Sequence, residues 1–221
     1  MPPFIDERRR LVQQLGMSAQ IVHIVDDDQA LREALDSLFR SMGMETRLHG
    51  SAQAFLDSGE AGSAGCLVLD VRLPGVSGLD FQAQLNAAGV AMPVVLMTGH
   101  GDIPMSVRGM KAGAVDFLAK PFRDQDMLDA VAQALERDRQ NRAERSGLDE
   151  LRARLAQLSP REREVMGLVA SGLMNKQVAF QLGLSEITVK IHRGAAMRKM
   201  EARSLADLVR MAETLGLRQT V

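Results

Sequence analysis

Three consecutive carboxylates, Asp26, Asp27 and Asp28, follow directly on the apolar run IVHIV. Carboxylates packed side by side at the end of a buried strand raise one another's pKa unless a cation compensates. Three other apolar runs also finish on chemistry: CLVLD on Asp70, PVVLMTG near Thr98 and AVDFLAKP near Lys120. Brought together, these residues form an oxygen-rich pocket with one ammonium. All-oxygen donors with open positions suit Mg²⁺ (or Mn²⁺), which keeps waters and takes phosphate as a further ligand. Asp70 is placed to attack a phosphoryl group and give an aspartyl phosphate. Lys120 would neutralise oxygens in the transition state, and the Thr98 hydroxyl would donate to a phosphoryl oxygen after transfer. Asp28 reads as the N-cap of the helix that follows.

The elements that must position these residues alternate. Strands are expected at QIVHIV, METRLHG, CLVLD, PVVLMTG and AVDFLAKP. Between them, Leu31, Leu35, Leu38, Phe39 and Met42 recur at helical spacing, Phe55 and Leu56 lie on a short helix capped by Ser51, and Leu79, Phe81 and Leu85 mark a third helix. A further helix is expected over 103–112, and a last one from near Asp124 that runs on past Leu135. Short apolar strands separated by helices predict an α/β fold, a five-stranded doubly wound parallel sheet covered on both faces. Ligands of such sheets bind beyond the carboxyl ends of the strands, where the strand order reverses. Asp102, Asp116 and Asp124 read as surface or cap residues, and Phe117 as plain core.

Residues 1–150 carry 15 basic and 22 acidic side chains, a balance of −7, whereas residues 151–221 carry 12 and 6, a balance of +6. An acidic front and a basic back predict two domains with different partners, the second suited to a polyanion such as DNA. No apolar run approaches the roughly 18 residues of a membrane span, and the first residues have no secretory h-region. The single cysteine, Cys66, lies in an apolar strand. A cytoplasmic protein is expected. For the first 16 residues two readings stand open: a start at Met17, or an extra helix striped by Ile5, Leu11, Val12 and Leu15.

The expected division is an extension over 1–19, an α/β domain over 20–140, a linker over 141–154 and a small all-α domain over 155–221. Residues 136–150 are charge-dense and read as an exposed helix end or linker. Leu148, Leu151, Leu155 and Leu158 are spaced as a coiled-coil seam or as one amphipathic turn packed on its own domain; the second reading is preferred. In the basic domain Ser159, Pro160 and Glu162 form a capping box with proline at the first helical position. Val165, Met166, Leu168 and Val169 supply that helix's apolar face. A second helix is expected over 175–182, a tight turn at GLS (183–185), a third helix from the Ser185 cap to Met200, and a fourth after Ser204. Helix, short turn, helix predicts a helix-turn-helix whose second element enters the major groove.

VDDD, LVLDVRLPGVSG, MTGHGD and AVDFLAKPF resemble the receiver domain of two-component response regulators, a flavodoxin-like fold, over residues 20–140. The resemblance implies that Asp70 accepts phosphate from a sensor histidine kinase. It also implies direct Mg²⁺ ligation by Asp27, Asp70 and the main-chain carbonyl of Arg72, with Asp26 ligating through water. Thr98 and Phe117 would be the switch pair, Lys120 the charge-neutralising lysine, and the Lys120–Pro121 bond cis. His100 and Arg72 would influence phosphate lifetime. Residues 155–216 resemble the LuxR-type helix-turn-helix of the NarL/FixJ regulators, closest to the FixJ-like kind. That resemblance implies base contacts from Lys190, Ile191 and Gly194, although glycine is a departure from the polar residue often found there. Lysine suits guanine and isoleucine a thymine methyl. Phosphate contacts would come from Arg193, Arg198, Lys199 and Lys176, with Thr188 also at the DNA. Val189, Met197 and Met200 are expected in the core, and His192 partly buried beside the groove. The implied partners are the kinase, promoter DNA, RNA polymerase and, on phosphorylation, a second copy joined through helix four and strand five. Such a chain catalyses only its own phosphorylation.

Three rival readings remain. A haloacid-dehalogenase-type phosphatase would use the same nucleophile but needs a second acid two residues on, where Arg72 stands. A receiver that never takes phosphate would lack one of the pocket residues. An interaction protein would use its basic domain to grip protein or RNA.

Overall fold

The computed structural model describes residues 20–99 and 103–217. The sequence-based readings for residues 1–16, and for His100 and Asp102, lie outside them. The chain divides into two compact units, with the boundary between Asn141 and Arg142.

The first unit alternates as its apolar periodicity requires: β1 (Ile21–Val25), α1 (Gln29–Ser41), β2 (Glu45–His49), α2 (Ala52–Asp57), a 3₁₀ turn (Glu60–Gly62), β3 (Gly65–Asp70), α3 (Gly78–Ala87), β4 (Val94–Thr98), α4 (Ile103–Lys111), β5 (Asp116–Ala119) and α5 (Asp124–Ala156). The strands form one parallel sheet in the order β2-β1-β3-β4-β5. Because strand residues alternate between faces, Val25, Leu67, Leu69 and Leu96 pack on one side with Phe55, Leu79, Phe81 and Leu85. Val22, Ile24, Val68 and Met97 pack on the other with Leu35, Phe39, Met127 and Val131. Both faces are therefore covered, as the continuous apolar strands predict. Cys66 is buried, and burial pushes its thiol far above its ordinary range, so it is an inert core residue.

Residues 141–154, expected as the linker, lie on α5, which continues without a break to Ala156. Glu, Arg, Ala and Leu are strong helix formers. Ion pairs one turn apart, Arg139–Glu136 at 2.6 Å and Arg152–Asp149 at 3.3 Å, support the exposed part.

In the second unit, α6 (Pro160–Ala170), α7 (Asn175–Leu182), α8 (Glu186–Lys199) and α9 (Leu205–Thr214) follow. Each start is fixed by a local signal. The Ser159–Glu162 capping box closes α6, while Ser185 and Ser204 accept from Thr188 and Asp207 main-chain N–H groups. The α7–α8 turn runs through Gly183 at φ 65°, a left-handed conformation that glycine adopts without steric penalty. Leu158, Met166, Ala196, Met200 and Leu208 form one core cluster, against which Leu151 and Leu155 pack. Leu151, Leu155 and Leu158 thus pack on their own unit, as the preferred reading had it. Val165, Leu168, Val178 and Val189 form the other cluster.

Candidate functional site

The sheet register brings the strand ends together. Val25 pairs with Leu69, so Asp26 and Asp70 are the next residues on adjacent strands. Asp70 pairs with Met97, Thr98 pairs with Ala119, and Lys120 follows. The Lys120 N–H donates to the Thr98 carbonyl at 2.7 Å and the Val71 N–H to the Met97 carbonyl at 2.9 Å. The cluster sits where β1 and β3 diverge, the reversal point of this strand order.

Lys120 Nζ donates to Asp26 Oδ2 at 2.7 Å and to Asp70 Oδ2 at 2.9 Å. The second oxygens are also engaged: Asp26 Oδ1 accepts the Asp28 N–H at 2.8 Å, and Asp70 Oδ1 the Arg72 N–H at 3.2 Å. Asp26 is fully buried and Asp70 nearly so, whereas Asp27 is exposed at the rim. Carboxylate oxygens of Asp26, Asp27 and Asp70 all lie within 4.8 Å of one another. Burial raises the Asp26 pKa against the opposing hydrogen bond from Lys120. For Lys120, burial works downward, but the hydrogen bonds it donates to Asp26 and Asp70 prevail and hold it above its ordinary value. One ammonium faces three carboxylates, a deficit of positive charge that a hard divalent ion matches.

Asp28 plays a different part. Its Oδ1 accepts from the Ala30 and Leu31 N–H groups at 2.9 and 3.3 Å, capping α1 as expected. Thr98 is fully buried at its strand end. Phe117 is half-buried and packs on the Leu79–Leu96 core cluster. Arg72 forms an isolated bridge with Ser77 just beyond Asp70. The Lys120–Pro121 bond is cis.

Two residues beside the pocket escaped the sequence reading. Arg32 donates to the Asp26 main-chain carbonyl at 2.5 Å. Its signal was available: a cation in the first turn of a helix opposes the macrodipole, so it needs a local reason to be there. Gly78 opens α3 directly behind the acceptor position, where a Cβ would stand 2.2 Å from the Asp70 carbonyl oxygen. No spacing in the sequence announces that contact.

On α8 the predicted residues separate into two groups. Lys190, Arg198 and, on α7, Lys176 are exposed, and Ile191 is 64% exposed. Lys190, Gly194 and Arg198 are four residues apart and share one helix face; a Cβ on Gly194 would meet only the Arg198 guanidinium, at 3.7 Å. The others are engaged inside the unit. Arg193 donates to Asn175 Oδ1 at 3.2 Å, tying α8 to α7, and Lys199 Nζ donates to Glu162 Oε2 at 2.6 Å. The Thr188 hydroxyl lies 2.8 Å from that of Ser185. His192 is half-buried, Val189 and Met200 are buried, and Met197 packs at the edge of the core. Ile187 and Phe180, exposed at 71% and 92%, were missed, although both break the apolar periodicity of their helices.

A doubly wound five-stranded sheet with an Asp–Asp–Asp–Lys pocket at its switch point, in one chain with a capped helix-turn-helix, defines a receiver joined to a DNA-binding module. Comparison with known proteins agrees: residues 22–132 match the response regulator receiver domain, and residues 156–212 match the luxR family of bacterial regulatory proteins. The chain belongs to the two-component response regulators with a LuxR-type helix-turn-helix, close to the FixJ group. It is 58% identical over 197 residues to nodulation protein W of Bradyrhizobium diazoefficiens, covering 89% of this chain and 87% of that protein. To the transcriptional regulatory protein FixJ of Azorhizobium caulinodans it is 47% identical over 196 residues, covering 89% and 93%. The solved structure of the response regulator StyR superposes with a TM-score of 0.80 at 46% identity, covering 89% and 99%. A receiver implies a kinase partner, and the helix-turn-helix implies DNA binding and a transcriptional regulator, a family not generally classed as enzymes. Among the described residues, no helix is long and apolar enough to cross a membrane.

Proposed function

We propose that this chain is a cytoplasmic transcriptional regulator that accepts a phosphoryl group on Asp70 from a phosphohistidine of its sensor kinase, pairs with a second copy, and grips promoter DNA. The observation that carries the proposal is the set of Asp26, Asp27 and Asp70 oxygens within 4.8 Å, bridged by Lys120 at 2.7 and 2.9 Å. A carboxylate oxygen of Asp70 forms the new O–P bond as the N–P bond of the donor breaks, and the donor imidazole leaves. Lys120 meets the charge that spreads onto the phosphoryl oxygens. The donor set fits Mg²⁺ or Mn²⁺: Asp27, Asp70 and the Arg72 carbonyl would hold it directly and Asp26 through water. When bound, such an ion neutralises phosphoryl charge.

Thr98 donates its hydroxyl to the arriving phosphoryl group, and Phe117 follows it inward. This alters the surface of α4 and β5, where Val107 and Met110 are 44% and 45% exposed. Pairing there places two α8 helices on two half-sites and raises affinity through effective concentration. Lys190 and Ile191 face base edges across Gly194. Arg198 and Lys176 meet DNA phosphates, with Arg193, Lys199 and Thr188 at the margin; RNA polymerase is the partner downstream.

A gel shift against the DNA upstream of the chain's own gene, with and without acetyl phosphate and Mg²⁺, tests the reading. Tighter, salt-sensitive binding with the phosphodonor is expected. Equal binding in both arms, insensitive to salt, would contradict it.

A further inference from the structure

On the β2 side of the sheet lies a second polar cluster that the phosphoryl pocket does not use. His23, in the middle of β1, is fully buried, and His49, ending β2, is 7% exposed. Their Nδ1 and Nε2 atoms face each other at 3.2 Å, and Glu60 Oε2 approaches His23 Nδ1 to 3.8 Å. One donor atom from each of the three residues lies within 4.8 Å of the other two. We propose that His23, His49 and Glu60 form a second metal site, selective for a divalent transition ion that favours imidazole, with Zn²⁺ the best fit.

Three geometric features support it. Two Zn–N bonds of about 2.05 Å meeting near the tetrahedral angle set their nitrogens about 3.3 Å apart, against the 3.2 Å found here. A hydrogen bond between imidazoles accounts for that distance alone, but not for a carboxylate converging on the same pair. The outer partners are also in place. Ser63 Oγ lies 3.0 Å from His23 Nε2, the nitrogen away from the cluster, and Arg47 Nε lies 3.8 Å from Glu60 Oε1. Such contacts fix imidazole tautomer and carboxylate orientation. The Phe55 ring, part of the core, makes near-perpendicular contacts with both imidazoles, with centroids at 5.3 Å. Glu60 is the way in, since its side chain is 33% exposed on the short 3₁₀ turn. Imidazole and carboxylate donors separate this site from the all-oxygen cluster at Asp26, which suits Mg²⁺. The bound ion clamps the Glu60 turn to β1 and β2. His49 itself adjoins the strand end that carries the phosphoryl pocket, since the Asp26 N–H donates to the His49 carbonyl at 3.3 Å.

The test is a Zn²⁺ titration of the full chain against a chromogenic zinc indicator, in excess Mg²⁺ to fill the oxygen cluster. One Zn²⁺ per chain is expected. His49→Gln and Glu60→Gln should each weaken it at least tenfold, while Asp70→Asn and His192→Gln leave it unchanged. Glu60→Gln alters a partly exposed side chain, so it keeps the test valid should His49→Gln fail to fold, as circular dichroism would reveal. Co²⁺ in the wild-type chain gives an independent reading: intense four-coordinate visible bands are expected, lost in Glu60→Gln. Zinc affinity unchanged in both site variants, zinc lost instead in Asp70→Asn, or only pale six-coordinate Co²⁺ bands would overturn the proposal.

Discussion

The two working regions of this chain are built on opposite principles. The receiver pocket gathers its groups from four strand ends and buries most of them, so each charge depends on the others. The exposed side of α8 draws its groups from one helix and leaves them in water, so each acts nearly alone. Mutual dependence makes the first region sensitive to a single deletion. Independence makes the second graded and responsive to salt.

The largest effect that would sharpen this contrast is expected at Lys120. Lys120→Met should lower the rate of phosphorylation by acetyl phosphate by about 10²–10³-fold, the scale of losing one charge-stabilising donor at a reacting centre. It also leaves Asp26 and Asp70 without their shared ammonium, so protection of the β1 and β3 amides from hydrogen exchange should fall. A loss below tenfold, with unchanged protection, would place Lys120 outside the interdependent set.

A second interdependent cluster lies in the same sheet. Burial, with smaller contributions from His49 and Arg47, lowers the pKa of His23 from its ordinary 6.5 to about 4. Between those values the unfolded chain binds more protons than the folded one, so stability is present above pH 6.5 and is lost as pH falls toward 4. Lowering the pH of metal-free protein from 7 to 5 should therefore cost about 2 kcal/mol through His23. Urea unfolding followed by circular dichroism measures it, and His23→Gln should reduce the dependence to the part left by His49, whose pKa burial also lowers. An equally steep fall in that variant would assign the loss to other groups.

Smaller changes are expected on α7 and α8. Lys190→Ala should reduce discrimination between operator and random DNA by about tenfold, near one base contact of 1–3 kcal/mol. Lys176→Ala should weaken both DNAs alike and lower the salt slope by about one. Binding curves at two salt concentrations separate the cases, and equal losses on both DNAs in Lys190→Ala would make it a phosphate contact. Were Lys190→Ala and Lys176→Ala together to lose far more than the sum of their separate effects, the α7–α8 surface would be as interdependent as the receiver pocket.

What could be read in advance follows the same division. The receiver pocket was legible because parallel strands in register share their ends: a run such as IVHIV followed by Asp26, or CLVL followed by Asp70, states both the strand and where its last side chain goes. Helix starts at Ser159, Ser185 and Ser204 were legible because a cap is a local contact. Contacts between helices, or between strands away from their ends, were not. Lys199, read as a phosphate contact, reaches back to Glu162, and Arg193 to Asn175; spacing along α8 cannot reveal a partner on another helix. His23 read as an ordinary member of an apolar strand, and only the β1–β2 pairing brings it near His49. The charge-dense stretch after Leu135 lacks an apolar stripe and read as an exposed helix end or linker; helix propensity and neighbouring ion pairs carry α5 through it.

The central claim is that oxygens from β1 and β3, gathered beside Lys120, make Asp70 a phosphoryl acceptor. Incubating the full chain with acetyl phosphate and Mg²⁺ and following its intact mass tests this most directly. One added phosphoryl group is predicted for the wild type, removed by hydroxylamine as an acyl phosphate should be and blocked by a chelator, and none for Asp70→Asn. Undiminished labelling of Asp70→Asn, or labelling that survives the chelator, would contradict the account.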